Sequence, residues 1–312
     1  PLYFIYKIIS TINLCIQLKR KYPKSNFVPI YWMASEDHDF EEVSSFRFKN
    51  KNVKWPGETG GAVGDLSLDN LQEVLDVFEK NLGSLPEAIM IKGWIESSYR
   101  NSGDLSEATF RLVDQLFGNK GLVIIDPNKS KLKQLFLPVL KEELTNQPSH
   151  NLVMTQIKRI KTEYNPGYTP QVNPREINLF YLTEKGRYRI EKQGEEFLLH
   201  GTEQRFSSES FITLLEKHPD RFSPNVILRP LYQESILPNL CYIGGGGELA
   251  YWFELKSNFE HFDIPFPILL LRNSALIFSK KQRNKIKNLE LKVSDLFLKR
   301  NSLVNKTVRR IS

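Results

Sequence analysis

"YWMASEDHDFEE", residues 31–42, places five carboxylates and a histidine directly after an apolar run. That run, "FVPIYWMA" at 27–34, has the β-branched and aromatic content of a short buried strand. We therefore expect the acids to lie at the carboxyl end of a strand, which is where ligands bind in open α/β sheets. This position makes the acidic segment the first candidate for a functional site.

The chain has 312 residues, of which 40% are hydrophobic, and this is enough for about two domains with a large core. No window has the ~18 uninterrupted apolar residues of a membrane helix, so we expect no membrane partner. The opening segment lacks the basic leader and cleavage site of a signal peptide. The two cysteines, Cys15 and Cys241, do not suggest a disulfide scaffold. Together these features predict a protein of the reducing cytoplasm.

Predicted helices alternate with predicted strands over most of the chain. A helix is predicted from about Tyr3 to Lys21, before the strand at 27–33, and "GLVIIDP" at 121–127 is typical of a second buried parallel strand. This alternation predicts an α/β fold with a doubly wound parallel sheet. Because no strand precedes the first helix and the chain begins with proline, we expect a fragment that starts inside a domain.

The pattern changes near Tyr168. "INLFYLT" and "RYRIEK", joined by "EKG", predict an antiparallel hairpin. Buried strands and the α/β pattern return from "NVILRPLYQESILP" onward. We therefore predict two halves of one α/β core, at 1–160 and 221–280, separated by an antiparallel insertion at 161–220.

The basic segment at 281–312 carries an apolar stripe. Ile286, Leu289, Val293, Leu296 and Leu303 approximate a heptad repeat among lysines and arginines, which predicts the start of a long helix or coiled coil. A good share of the net charge of +7 comes from this tail. We interpret it as a solvated basic face and expect no nucleic-acid partner.

The acidic segment offers Glu36, Asp37, His38 and Asp39 as candidate catalytic residues. Crowded carboxylates cannot all ionise at their ordinary pKa, so the segment could act in acid–base chemistry or hold an ammonium group. A metal site is an alternative, although the spacing matches no established zinc or calcium pattern. A capped, solvated loop is the structural alternative, and we favour a functional role.

A second candidate is "YIGGGGELAYW", where Gly244, Gly245, Gly246 and Gly247 precede Glu248 at a predicted helix start. The N–H groups exposed at such a turn favour an anion or the close approach of a ligand, and we expect positive φ angles there. A flexible turn is the alternative.

Two further segments offer six polar side chains for a substrate site: Gln171, Asn173, Arg175, Arg229, Gln233 and Glu234. The last three follow a predicted buried strand. The guanidinium of Arg175 could bind a substrate carboxylate through two parallel hydrogen bonds. A polar turn that stabilises the insertion is the alternative for the first three.

Five segments of the chain are distinctive: "PLYFIYKIIST", "WMASEDHDFEE", "YTPQVNPREINLFYL", "SPNVILRPLYQESILPN" and "YIGGGGELAYW". Together, and in order over nearly the whole chain, they resemble the bacillithiol-biosynthesis cysteine-adding enzyme family, called BshC. The resemblance implies a Rossmann-like core with a connecting-peptide insertion, similar to class I aminoacyl-tRNA synthetases, and a helical coiled coil that forms dimers. It also implies that an N-terminal part with the first strand and most of the coiled coil are missing.

The activity implied by the resemblance is that of a ligase, which adds L-cysteine to glucosaminyl-malate in the last step of bacillithiol biosynthesis and forms an amide bond. Ligases usually activate the carboxylate as an adenylate or acyl phosphate. We therefore expect ATP or ADP, with Mg, and no tightly bound metal. We also expect a homodimer of the full-length protein through the coiled coil.

With this activity, the acids would orient or deprotonate the substrate amine. His38 would transfer the proton, while Asp37 and Asp39 would fix its tautomer or hold the ammonium group. Arg175 and Arg229 would bind the malate or cysteine carboxylates, and the glycine run would contact substrate or nucleotide. Two alternatives stay open: a metal-assisted hydrolase that uses the Asp/His run, and a nucleotide-sensing dimerisation module without catalysis.

Overall fold

The computed structural model describes residues 3–37, 39–49, 51–57 and 60–311. The chain divides into two compact units, Pro1–Arg272 and Asn273–Ser312. Within the described residues, all of the strands belong to the first unit, whereas the second unit is helical.

Helices and short strands alternate over the first part of the first unit. In chain order they are α1 (Tyr3–Lys21), β1 (Ile30–Trp32), α2 (Phe40–Val43), β2 (Ser45–Phe48), β3 (Lys51–Lys54), α3 (Gln72–Leu82), α4 (Pro86–Ile95), α5 (Leu105–Phe117), β4 (Val123–Ile125), α6 (Ser130–Asn146) and α7 (Pro148–Glu163). The predicted first helix is confirmed as α1. It buries Ile8 and Ile12 four residues apart, and three basic residues in its last turn complement the helix dipole.

Strands and helices continue to the end of this unit. In chain order they are β5 (Leu179–Thr183), β6 (Gly186–Gln193), β7 (Glu196–Leu199), β8 (Arg205–Ser207), α8 (Ser208–Lys217), β9 (Phe222–Pro224), α9 (Arg229–Ile236), β10 (Cys241–Gly244), α10 (Gly246–Glu254), α11 (Lys256–His261) and β11 (Ile268–Leu271). The predicted strand at "NVIL" is wrong. Residues 225–228 form turns that lead directly into α9, whose second residue is a proline, a residue tolerated in the first turn of a helix.

Parallel strands pair at two places. β1 pairs with β4, with Tyr31 opposite Ile124, and β10 pairs with β11, with Ile243 opposite Leu270. In the described part of the chain these pairs are two separate two-stranded sheets, whereas the sequence predicted one doubly wound sheet. Helix α1 packs against both β1 and β10 and so links the two pairs.

The predicted hairpin is confirmed by β5 and β6, which pair antiparallel with Thr183 opposite Gly186 across a two-residue turn. They belong to a five-stranded antiparallel sheet in the order β8-β7-β6-β5-β9. The sheet runs from Leu179 to Pro224, within and slightly beyond the predicted insertion. That this sheet corresponds to a connecting peptide stays a prediction.

The largest apolar core packs this antiparallel sheet against helices α6–α11. Phe211 lies at its centre, with its ring 5.0 Å from that of Phe197 and 5.1 Å from that of Phe222. Trp32, at the end of β1, meets the ring of Tyr232 edge-on at 5.2 Å. This contact joins the β1–β4 pair to the main core through helix α9.

The second unit contains α12 (Lys280–Asn288), a 3₁₀ turn at Val293–Phe297 and α13 (Arg300–Ile311). The expectation of one continuous helix from residue 281 is therefore wrong. Glu290 adopts a left-handed conformation (φ 48°) and Leu291 donates to the Ile286 carbonyl, which ends α12. A separate helix begins at Arg300, so the predicted apolar stripe lies on more than one element.

In the described part of the chain, no helix is both long and apolar enough to cross a bilayer.

A buried carboxylate fixes the segment that precedes the antiparallel sheet. Glu254, in α10, is fully buried and accepts hydrogen bonds from the Tyr168 hydroxyl (2.5 Å) and from the backbone N–H groups of Gln171 (2.7 Å) and Val172 (3.2 Å). We predict that Glu254→Ala lowers the free energy of unfolding by about 3 kcal/mol, because these donors lose their charged acceptor. Urea unfolding followed by circular dichroism measures the loss.

The control is Glu260→Ala, because Glu260 is exposed and its ion pair with Lys256 is long (4.0 Å). We expect a change within about 0.5 kcal/mol for that variant. Equal effects of the two substitutions would contradict the assigned role of Glu254.

Candidate functional site

The acids of the segment do not share one environment: some belong to helix α2 and its cap, and others line a cleft. Asp39 caps α2 by accepting a hydrogen bond from the Glu42 N–H at 3.3 Å, so its position is explained by local structure. Glu41 and Glu42 are exposed in the first turn of this helix, where acidic residues complement the helix dipole. His38 lies outside the described residues. Of the described acids of this segment, Glu36 and Asp37 line a cleft.

This cleft has a volume of about 430 Å³ and lies at the carboxyl ends of β1 and β4. Its opposite wall is formed by β5, β6 and the residues that follow β9. The polar side chains that line it are Glu36, Asp37, Asn173, Arg175, Arg187, Arg189, Asn225, Arg229 and Tyr232. The structure thus brings four of the predicted site residues, Asp37, Asn173, Arg175 and Arg229, to one cleft.

The sequence reasoning missed two arginines of this cleft, Arg187 and Arg189 on β6. Successive side chains of a strand point to opposite faces, so residues two apart share a face. The alternation in "GRYRIEK" therefore carried a signal: Ile190 packs into the core, and both arginines lie on the other face, which borders the cleft. The turn signal predicts the hairpin, whereas the face of its arginines follows only from this alternation.

Arg187 is held firmly. Its Nη2 donates to the Ser223 hydroxyl (3.1 Å) and to the Pro224 carbonyl (3.0 Å), and its guanidinium lies 3.9 Å from the centre of the Phe180 ring. Burial lowers the pKa of Arg187, while the charges of Glu36 and Asp37 oppose this shift. The guanidinium therefore lies close to both carboxylates at the end of β1.

Glu36 belongs to a buried network beneath the cleft. Its Oε1 lies 2.6 Å from the ammonium nitrogen of Lys133, which is fully buried, and its Oε2 accepts from the Ser223 hydroxyl at 3.0 Å. Burial lowers the pKa of Lys133, and the carboxylate of Glu36 opposes this shift. Glu36 is thus engaged by an ammonium group and a hydroxyl, so its predicted catalytic role is less well supported than that of Asp37.

Arg229 is the first residue of helix α9 and lines the cleft. Its guanidinium donates to Gln233 Oε1 at 3.3 Å and to the Tyr251 hydroxyl at 3.4 Å. Arg175 and Asn173 are exposed on the segment before β5. The cleft is therefore lined by guanidinium groups from three parts of the chain: Arg175 before β5, Arg229 in α9, and the two arginines of β6.

Three of the six polar residues predicted from the two further segments do not line this cleft. Gln171 is exposed and uses its backbone N–H to bind Glu254. Gln233 and Glu234 are buried within α9, and the Gln233 amide donates to Glu234 Oε1 at 2.7 Å. Their positions are explained by packing and by the connection to β10, where Asn239 donates to the same carboxylate oxygen.

The glycine run has a different geometry from the one predicted. None of Gly244, Gly245, Gly246 and Gly247 has a positive φ, so the expectation on this point is wrong. Gly245 is the N-cap of α10, and its N–H donates to Glu248 Oε2 at 2.7 Å. The run therefore continues from a strand into a helix without a left-handed turn.

The four glycines differ in how much room there is for a side chain. A Cβ added at Gly244 would lie 2.8 Å from the Tyr242 ring, so this glycine is required by packing. At Gly246 and Gly247 an added Cβ would meet no described atom within 4 Å. The first turn of α10 is therefore open, as the predicted close approach of a ligand requires.

Glu248 lies in this open turn and is already engaged. Its Oε1 accepts from the Lys7 ammonium (2.7 Å) and from the Tyr242 hydroxyl (2.9 Å). These partners, with the Gly245 N–H, keep the pKa of Glu248 below its ordinary value although burial opposes this. Its carboxylate thus links α1, β10 and α10, which is a structural role for a residue predicted to bind substrate.

A larger cleft, of about 1000 Å³, lies on the other side of the β5–β6 hairpin. None of the described residues predicted to form the site lines it. Its charged residues are of both signs, with Asp65, Glu184 and Asp220 beside Lys185 and Arg221. The smaller cleft is the better candidate, because its four arginines lie at the strand ends and offer donors to anionic groups.

Metal ligation was the alternative for the acidic segment. Within residues 3–37, 39–49, 51–57 and 60–311, no group of three or more His, Cys, Asp or Glu side chains is arranged to hold a metal ion. The described carboxylates instead contact a lysine, a hydroxyl and a helix N-terminus. This part of the chain therefore offers the hydrolase alternative no ligand set.

Glu234 provides a pH test of the buried α9 segment. Burial raises its pKa to about 7, so the folded state binds a proton more tightly than the unfolded chain does. The stability contributed by this protonation is fully present below the unfolded pKa and is lost as the pH rises through about 7. When the pH is raised from 5 to 8, the wild type should lose stability that Glu234→Gln does not lose. We therefore predict that the free energy of unfolding of the variant, relative to the wild type, increases by about 2 kcal/mol over this range.

Urea unfolding at both pH values measures this difference. The matched control is Glu163→Gln, because Glu163 is exposed and its ion pair with Arg159 is on the surface. A stability difference for Glu234→Gln that does not change with pH would contradict the assignment.

The two kinds of glycine in the run predict opposite responses to alanine. Gly244→Ala should lower the free energy of unfolding by about 1–3 kcal/mol, because its Cβ overlaps the Tyr242 ring. Gly246→Ala should be neutral or slightly stabilising, because the site is open and alanine favours a helix. Urea midpoints of the two variants test this, and a larger loss at Gly246 would refute it.

Comparison with known proteins identifies the family to which the chain belongs. The sequence model of the family described as "Bacillithiol biosynthesis BshC, N-terminal Rossmann-like domain" matches residues 1–273. Proteins named "Putative cysteine ligase BshC" from Flavobacterium johnsoniae and Christiangramia forsetii are 51% and 49% identical to the chain and cover 100% of it. A protein of the same name from Salinibacter ruber is 31% identical over 95% of the chain.

The chain spans 58% of the length of the first two relatives and 55% of the third. The family match covers the cleft, the buried network beneath it and the glycine run. The chain belongs to the bacillithiol biosynthesis BshC family and contains its Rossmann-like domain.

Proposed function

We propose that this chain is the Rossmann-like part of a ligase that adds L-cysteine to glucosaminyl-malate, in the last step of bacillithiol biosynthesis. The relatives' name, cysteine ligase, supports the class of reaction. The observation that carries the choice of substrate is the cleft, in which Arg175, Arg187, Arg189 and Arg229 converge beside Asp37. Glucosaminyl-malate has two carboxylates and an amine, and this combination of charges matches the cleft.

The reaction forms an amide bond. The substrate nitrogen attacks the carboxyl carbon of cysteine, one carboxyl oxygen leaves with the activating group, and the nitrogen loses a proton. In our proposal the arginines bind the malyl carboxylates and Asp37 holds the ammonium group until it is deprotonated. His38, which lies outside the described residues, is retained as the proposed proton acceptor.

A nucleotide fits the open turn at the start of α10. Gly246 and Gly247 leave room above the helix N-terminus, and the Arg272 side chain would lie 3.5 Å from a Cβ at Gly245. ATP, with Mg, would supply the leaving group that activates the carboxylate. The N–H groups of this turn and Arg272 would bind its phosphates.

The proposal extends to a homodimer of the full-length protein. Helix α13 exposes Val304 and Val308, which are four residues apart and so lie on one face of the helix. An apolar face of this kind supports pairing of helices in a coiled coil.

Arg229→Gln tests the assignment of the cleft in the full-length protein. We expect the KM for glucosaminyl-malate to rise at least about tenfold, because a buried charge-assisted contact to a carboxylate contributes about 1.5–3 kcal/mol. Product formation with cysteine and ATP, followed by mass spectrometry, measures the effect and also shows whether AMP or ADP is released.

The control is Arg205→Gln, since Arg205 is exposed in β8 and makes a surface contact with Glu196 at 3.4 Å. It should leave both kcat and KM unchanged. Unaltered kinetics of Arg229→Gln would reject the cleft as the substrate site, and a wild-type protein that forms no amide product would reject the proposed function.

A further inference from the structure

The network beneath the cleft connects both of its walls. Lys133 extends from α6, and its ammonium group contacts Glu36, in the loop after β1, and the Phe222 carbonyl of β9 at 2.7 Å. Its side chain has no solvent exposure. A single buried cation therefore binds the acidic segment and the antiparallel sheet at the same time.

The network reaches the cleft through a hydroxyl. Ser223 is fully buried; its Oγ donates to Glu36 Oε2 and accepts from Arg187 Nη2. The contacts thus run from Lys133 to Glu36, Ser223 and Arg187 without interruption. Asp37 follows Glu36 in the sequence, so the position of the Asp37 carboxylate depends on the Lys133–Glu36 contact. The position of Arg187 depends on Ser223, at the other end of this series of contacts.

A gain in the stability of the fold does not explain why this charged network is buried. Removing two charges from water costs several kcal/mol, and a buried ion pair is often no more stabilising than an apolar pair of the same volume. Two directional contacts of the ammonium group do, however, fix the distance between the elements that carry its partners. This directional constraint is what an apolar pair would lack.

We propose that the Lys133–Glu36 pair is a positioning element of the cleft, which sets the spacing between Asp37 and the arginines of the facing sheet. Lys133, Glu36 and Ser223 act through Asp37 and Arg187 and do not themselves react. This inference rests on the proposed function for its kinetic readout and is independent of it for its structural readout.

The test uses the full-length protein with the paired substitution Lys133→Met and Glu36→Gln, which removes both charges and leaves no buried ion unpaired. The matched control is Lys141→Met with Glu216→Gln, an exposed ion pair that also involves α6. We expect the first pair to raise the KM for glucosaminyl-malate at least about tenfold and to change kcat less, and the control pair to change neither.

Hydrogen–deuterium exchange provides the structural readout. The N–H groups of Val63 and Gly64 donate to the carbonyls of Asp37 (2.6 Å) and Ser35 (2.9 Å), and so report the order of the acidic segment. We expect their exchange to become at least about tenfold faster in the first pair only. Unchanged exchange in the folded variant would overturn the proposal, as would faster exchange with a wild-type KM.

Ser223→Ala keeps the proposal testable if the paired variant does not fold, because it removes one oxygen from a fully buried position. We expect a several-fold increase in KM in a folded protein whose melting temperature falls by a few degrees, because Glu36 and Arg187 each lose a buried partner. Wild-type kinetics would overturn the proposal. If the wild-type protein makes no amide product, the proposed function fails, and the exchange of Val63 and Gly64 in Ser223→Ala decides the positioning role alone.

Discussion

A lysine ammonium group without access to water is the constraint around which the cleft is arranged. Such a group requires a carboxylate and hydrogen-bond acceptors at short range, and Lys133 finds them in Glu36 and in the Phe222 carbonyl. Because these partners belong to the end of a parallel strand and to an antiparallel strand, satisfying one cation brings two kinds of sheet together. The cleft lies where they meet, with Trp32 and Tyr232 packed edge-on at its base.

Local features of the fold could be read from the sequence. Periodicity located α1, and the "EKG" turn located the β5–β6 hairpin, because both signals depend on residues close together in the chain. Glu36 and Asp37 lie at the predicted strand end and line the cleft with Arg175 and Arg229, whereas the other described acids belong to α2 and its cap. What could not be read was which acid faces the cleft, since that depends on Lys133, about a hundred residues further on.

The errors have the same origin. Four glycines suggested positive φ, but the Glu248 carboxylate binds the Gly245 N–H and lets the chain enter α10 directly. The apolar stripe of the tail suggested one helix, but Glu290 in a left-handed conformation and the interaction of Asp295 with Lys306 produce separate elements. In both regions a single carboxylate or backbone angle determined the local geometry, and neither is visible in a hydrophobic pattern.

The hairpin between the two clefts has a consequence for how its length can vary. Arg187 and Arg189 border the smaller cleft, and Tyr188 between them borders the larger one. A residue added at the Glu184–Lys185 turn leaves the arginines on their face only if the loop lengthens to absorb it. If the strands instead re-paired around a two-residue turn, every side chain on β6 would change face and an arginine would be buried where Ile190 now packs. Two added residues keep the arginines on their face in either case.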